Sequence, residues 1–241
     1  MVERQAPVRS ITERKTSAVD LVLHEIRRSI LNGALAPGEP FVVQKLTEQL
    51  GVSHVPVREA LRQLEAQGLI TLSHSRSAVV APLDVADLRS VYRLRRWIEP
   101  ELGALSAPTR SEAELARLKD LLDLAFADPS AEERWDLHRQ FHQLLLAPAA
   151  TERDLRMLRG LWDASERFTR LTFDPVAVSQ DELPDQGERH QELIEAASSR
   201  DSERMRTAIR VHLEENEAAT AQRLDRMAAA RGVTTGNGGS A

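Results

Sequence analysis

Four of the seven histidines of this 241-residue chain lie in its second half, at His138, His142, His190 and His212. Imidazole is the side chain best suited to a transition-metal ion when cysteine is absent, and this chain has no cysteine. His138 and His142 are four residues apart in AEERWDLHRQFHQLLL, where apolar residues recur at helical spacing. Both rings therefore leave the same face of one helix, the spacing at which a single ion takes two helical ligands. His190, in ERHQELIEAA, is followed by Leu193 and Ile194; His212, in IRVHLEENE, lies between Ile209 and Leu213. These positions are at or near core-facing stripes. A buried imidazole needs a partner. Each could bond a backbone oxygen in a plain core, or all four could be satisfied together by one divalent cation. Spacing alone does not bring the three helices together.

A second constellation lies in GVSHVPVREALRQLEAQGLI, residues 51–70. Ser53 can cap a helix that tolerates Pro56 in its first turn. Ser53 and His54 then stand where free backbone N–H groups and the helix dipole favour phosphate. Arg58 is one turn further on and faces solvent if Val57 and Leu61 face inward. Its guanidinium could fork onto a guanine edge. The alternative is a solvated face in which Arg58 and Glu59 make local ion pairs.

Several elements must position these groups. Residues 1–16 lack apolar periodicity and read as a flexible arm. Leu21, Leu23, Ile26, Ile30 and Leu31 form a helical stripe closed by Asn32-Gly33. Pro37-Gly38 makes a turn, a short helix covers about 43–50, and Gly51 separates it from the helix that carries Arg58. Residues 69–72 and 78–81 read as the two strands of a hairpin. Beyond Pro82 the pattern is helical throughout, over about 84–106, 111–126, 131–147, 151–172, 186–199 and 201–230. Residues 231–241, ending GNGGSA, read as a disordered tail. The expected fold is mainly α: a winged helix-turn-helix over 17–82, then an antiparallel bundle of about six helices over 83–230.

Composition bounds the function without naming it. Aromatic residues are only 4%, so the core is aliphatic, which suits packed helices. The absence of cysteine excludes disulfides and cysteine nucleophiles. No apolar run is long enough to cross a membrane, and the N-terminus has no apolar segment of the signal-peptide kind. A cytoplasmic protein without a membrane partner is expected. Net charge is −5, but residues 1–82 carry +2 and the remainder −7. A nucleic-acid reading must therefore rest on where the basic residues stand, not on bulk charge.

The 51–70 segment resembles the GntR family of transcription regulators, with its Gly-Val-Ser turn, Pro-Val-Arg-Glu-Ala-Leu and Glu-x-x-Gly-Leu. The resemblance extends upstream through Gly33-Ala34-Leu35-Ala36-Pro37-Gly38 and covers about residues 17–82. It implies that Arg58 and the first residues of the turn, Ser53, His54 and Pro56, touch double-stranded operator DNA. By the same resemblance Gln44 and Lys45 contact the backbone, and His74 and Arg76 are candidates at the tip of the wing. His54 stands where the family commonly has arginine.

Residues 84–230 resemble the all-helical FCD-type ligand domain of the FadR-type subfamily. The motifs are Tyr92-x-Leu94-Arg95-x-x-Ile98-Glu99-Pro100, His138-x-x-Phe141-His142, Glu188-x-His190-x-x-Leu193-Ile194 and the late His212. In many members an Asp or Asn and three His bind a divalent metal. His142, His190 and His212 fall on the histidine positions, and His138 falls on the Asp or Asn position. Asp136 is off that face. Four neutral imidazoles would leave the full charge of the ion uncompensated, which favours zinc or nickel over manganese or magnesium and recruits an anionic effector. Arg95 could clamp a small carboxylate, or pair with Glu99 on a wet face. Trp135, Trp162 and Phe168 could line a pocket or be plain core.

The expected protein is a homodimeric repressor matching palindromic half-sites, modulated by a small carboxylate beside the metal. Two rivals stand beside it: a regulator for which the ion itself is the signal, and a histidine-metal hydrolase. The hydrolase lacks an HExxH-like pair and leaves the helix-turn-helix unexplained.

Overall fold

The computed structural model describes residues 17–73, 77–127, 130–172 and 182–235. Helix α1 (Ala18–Leu31) opens with a capping box in which Ser17 and Asp20 satisfy each other's backbone N–H groups. Its buried stripe is Val22, Ile26 and Ile30, each four apart, with Leu31. Leu21, which the sequence pattern puts on that stripe, is 61% exposed.

Strand β1 (Pro40–Val42) precedes α2 (Val43–Leu50) and α3 (His54–Ala66), which are followed by β2 (Ile70–Ser73) and β3 (Ser77–Val80). The three strands form an antiparallel sheet in the order β1-β3-β2, with Phe41 opposite Ala78 and Leu72 opposite Ala78 on the other side. The sequence suggests only the hairpin. The third strand arises because Gly38, at φ +80, turns the chain back along β3, and Gly38 N–H donates to Val80 O at 2.9 Å. Pro40 is tolerated because β1 is an edge strand. Val57, Ala60, Leu61 and Leu64 of α3 bury themselves against α1 and the sheet, so the opposite face of α3 is left to solvent.

The second core is separate and purely helical. It is built by α4 (Val85–Ser106), α5 (Glu112–Phe126), α6 (Ala131–Leu146), α7 (Glu152–Thr172), α8 (Glu182–Ser198) and α9 (Ser202–Thr235). A short 3-10 turn, Ala107–Thr109, joins α4 to α5. Capping boxes at Ser111 with Glu114 and at Ser130 with Glu133 start α5 and α6.

Helices α4 and α9 pack closely at Gly103. A Cβ there would lie 2.1 Å from Cδ1 of Ile209, which is itself buried. Gly103→Val is therefore expected to lower stability by about 1–3 kcal/mol through overpacking, read as a lower urea midpoint at unchanged slope.

The two cores are tied by polar contacts across α7. Arg27 of α1 bonds Asp163 at 2.8 Å and Gln67 at 2.6 Å. The buried Arg167 donates to Ala81 O at 3.1 Å and to Asp87 at 3.3 Å, fixing the connection between β3 and α4.

Candidate metal centre and nucleic-acid interface

Helices α6, α8 and α9 bring all four bundle histidines together. Ring centroids are 4.5 Å apart for His138 and His142, 5.0 Å for His138 and His190, 5.4 Å for His142 and His190, 4.8 Å for His190 and His212, and 5.2 Å for His142 and His212. They come together because the apolar neighbours are anchored: Phe141 and Leu145 on α6, Leu193 on α8 and Ile209 and Leu213 on α9 are all in the bundle core.

Ligand atoms of His138, His142 and His190 all lie within 4.8 Å of one another. Nε2 of His138 and Nε2 of His142 are 3.2 Å apart. Two nitrogens about 2.0–2.1 Å from one tetrahedral ion sit about 3.3 Å from each other. His212 stands differently. Its Nε2 faces the amide of Asn216 at 2.9 Å, and its buried Nδ1 has no hydrogen-bond partner. Asn216, a residue the sequence reading does not single out, is four residues beyond His212 on α9 and lines the same cavity. Asp136, set aside in the sequence, is exposed.

Burial pushes the ionisation of His138, His142 and His212 well below the usual histidine range, and the neighbouring imidazoles and arginines push it further. Neutral rings with available lone pairs are what a metal ion requires. The donor set is therefore suited to a divalent, imidazole-preferring ion.

The histidines form one wall of a cavity of about 60 Å³. Tyr92, Arg95, Trp135, Trp162 and Glu166 are among the other lining residues. Phe168 does not belong to it and is fully buried in the core. Arg95 is not on a wet face, as an ordinary i,i+4 pair would be. It is buried, bonds Glu99 at 2.6 and 3.3 Å and Ser165 at 3.1 Å, and its guanidinium lies over the Tyr92 ring at 5.0 Å. Burial opposes the Arg95 charge, and Glu99 and Tyr92 together more than restore it. Trp162 Nε1 also donates to Glu99, at 3.0 Å. Sequence reasoning offers the pair with Glu99 as one of two alternatives, on a wet face, and misses that the pair is buried with Arg95 at the cavity wall.

On α3, His54 and Arg58 are exposed and Pro56 is half-buried. Ser53 occupies the N-cap position, yet its hydroxyl makes no capping bond, contrary to the cap expected from sequence. His54 Nδ1 lies 3.4 Å from Thr47 Oγ1. Gln44 and Lys45 are exposed at the start of α2, and Gln44 bonds Glu48 at 3.2 Å. Arg62, not singled out in the sequence, is exposed one turn beyond Arg58 and pairs loosely with Glu59 at 3.8 Å. His74 and Arg76 lie outside the described residues.

Two family models match the chain. The bacterial regulatory proteins of the gntR family match residues 19–80, and the FCD domain matches residues 90–215. The chain belongs to the GntR family. It is a DNA-binding transcription regulator of the GntR/FCD type and not an enzyme. It is 28% identical to the HTH-type transcriptional repressor GlaR of Escherichia coli (strain K12), over 78% of this chain and 89% of that protein. It is 30% identical to an HTH-type transcriptional regulator of Streptomyces ambofaciens, over 84% of both. Among solved structures, a GntR family member from Pseudomonas syringae pv. tomato str. DC3000 is 31% identical with a TM-score of 0.53, covering 89% of each chain. E. coli McbR/YncC shares the fold, with a TM-score of 0.73 at 24% identity over 87% of this chain and all of that one. No described helix of this GntR/FCD regulator is long and apolar enough to cross a membrane.

Proposed function

We propose that this regulator is a homodimeric repressor whose affinity for double-stranded operator DNA is set by a small carboxylate bound beside a histidine-held divalent ion. The observation that carries this reading is the meeting of His138, His142 and His190 within 4.8 Å beside Arg95 in one cavity. His138, His142 and His190 would hold the ion, with His212 and Asn216 adjoining. A metal there supplies a fixed positive centre for an anion. Arg95 and Tyr92 would orient the acid, and Trp135 and Trp162 would exclude water from it. Ser53, His54 and Arg58, with Gln44 and Lys45, would meet the DNA.

Regulation needs a ligand that prefers one arrangement of the two domains. A direct polar route exists. Arg139, next to His138, pairs with Glu166 and Asp163, and Asp163 also holds Arg27 of α1, whose other nitrogen holds Gln67 at the end of α3. Asp163→Asn is expected to leave operator affinity and metal content within about two-fold of wild type. It should reduce the effector-induced change in operator affinity from the usual 5–150-fold range to less than about three-fold, measured by fluorescence anisotropy.

The size of the cavity favours a second reading. The cavity is small, about 60 Å³, and Arg95 is engaged by Glu99. An ion alone could then be the signal. The deciding experiment uses an operator selected by the zinc-loaded protein from a random duplex pool. Release of that DNA by a small carboxylic acid at constant zinc supports the first reading. Release or capture that follows zinc alone, with no response to any acid, replaces it with the second.

A further inference from the structure

The histidine cavity has one side toward solvent. Its lining residues on α4 and α8 are buried. Trp135, His138 and Arg139 of α6 are half-buried, as are Thr169 near the end of α7 and Asn216 of α9. Between α6 and α7 a chain of contacts closes this side. The rings of Trp135 and His138 meet edge to face, with centroids 5.7 Å apart. The Arg170 guanidinium lies over the same tryptophan ring at 5.3 Å. Arg170 also pairs with Glu166, a buried carboxylate that Arg139 holds in turn.

We infer that Trp135 and Arg170 form a clasp across the mouth of this cavity, and that the four imidazoles meet an ion from solvent only when it opens. The inference rests on the histidine-held ion proposed above. A site this enclosed needs a moving part: His142, His190 and His212 are each no more than 6% exposed. Most of the wall cannot move cheaply, because it is carried by helices whose neighbouring side chains, Phe141, Leu193 and Leu213 among them, are locked in the bundle core. Arg170 is placed differently. It lies in the last turn of α7, where carbonyls lack partners within the helix and local opening costs least. Trp135 is in the second turn of α6, near the other free end. A cation resting on a half-exposed ring is a contact weak enough to break and remake. Glu166 is the fixed post: its side chain is 8% exposed, and its grip on Arg170 draws the clasp shut again. The mouth also opens on the right ligand. His138, the least buried of the four imidazoles, is the one that Trp135 covers, so it is the first that an arriving ion meets.

The test is zinc exchange by the full chain in stopped flow: uptake by chelator-stripped protein, and release into excess chelator, both followed with a zinc-indicator dye. Arg170→Gln is expected to speed uptake and release alike by about ten-fold and to leave the equilibrium affinity within about three-fold of wild type, with far-ultraviolet circular dichroism unchanged. Arg170→Lys keeps a cation for the ring and should exchange within about three-fold of wild type. Trp135→Leu should speed uptake as well. Uptake and release together decide the matter. Loss of a residue that merely held His138 in place would speed release and not uptake. Loss of a nearby positive charge alone would speed uptake and slow release. Either of those patterns, or wild-type exchange rates in both Arg170→Gln and Trp135→Leu, removes the clasp and leaves the ion its site. A wild-type chain that takes up no zinc removes both.

Discussion

His142→Ala is expected to abolish stoichiometric zinc binding, lowering affinity by more than about a hundred-fold, the most that losing a mere outer-shell partner costs. His142, like His190, has the three other rings as neighbours, 4.5 Å from His138, 5.4 Å from His190 and 5.2 Å from His212. His212→Ala separates two coordination schemes. If His212 keeps its Nε2 on Asn216, its loss weakens zinc by about ten-fold; if it turns onto the ion, it costs as much as His142. Isothermal titration of chelator-stripped protein reads both. A normal one-to-one zinc isotherm in His142→Ala would sink the proposed centre.

The same burial gives a pH dependence with a definite sign. In the unfolded chain a histidine takes its proton near pH 6.5. In the folded protein burial holds His138, His142 and His212 neutral to well below that pH. The unfolded state therefore binds more protons as pH falls, so stability is level above about 6.5 and declines below it. Metal-free protein should lose about 1 kcal/mol per buried histidine between pH 7 and 5.5, read by urea unfolding. Protons also compete with the ion, so zinc adds least stability at the acidic end of that window.

Much of this was written in the sequence, for a physical reason. The i,i+4 pair of His138 and His142 and the apolar residues beside His190 and His212 fix which side of each helix carries a ring. Helical periodicity is local and therefore legible. What periodicity cannot carry is distance between helices. Spacing leaves open whether α6, α8 and α9 converge, and only the resemblance to FCD domains suggests it. Asn216 escaped because an amide four residues from a histidine has no distinctive signature. Strand β1 escaped because three residues without alternation are below the reach of a period-two pattern; its pairing depends on the turn at Gly38. The sequence pattern puts Leu21 on the wrong stripe because Leu21, Val22 and Leu23 are all apolar, and only the packing of Val22 with Ile26 and Ile30 resolves the phase.

Arg58→Ala is expected to weaken operator binding by about 10–150-fold and to relax sequence preference at one base pair. The argument starts from the inward face of α3. With Val57, Ala60, Leu61 and Leu64 all buried, the face left for DNA carries His54, Arg58 and Arg62. Of these Arg58 is one turn inside the helix, deep enough to reach a base edge while the N-terminus meets phosphate. Arg58→Lys should not rescue the affinity, because an ammonium cannot make the two parallel bonds that a guanidinium makes to guanine. Lys45→Ala should behave otherwise, lowering affinity for all sequences alike and reducing the salt slope by about one ion. His54→Arg completes the series. Arginine there adds a permanent cation beside the free N–H groups at the start of α3, so binding should tighten and its salt dependence steepen. Electrophoretic mobility shifts at several salt concentrations separate the two behaviours. If Arg58→Ala only shifts the salt slope, as a phosphate contact would, then base reading must pass to another residue on that face, with Arg62 next in line.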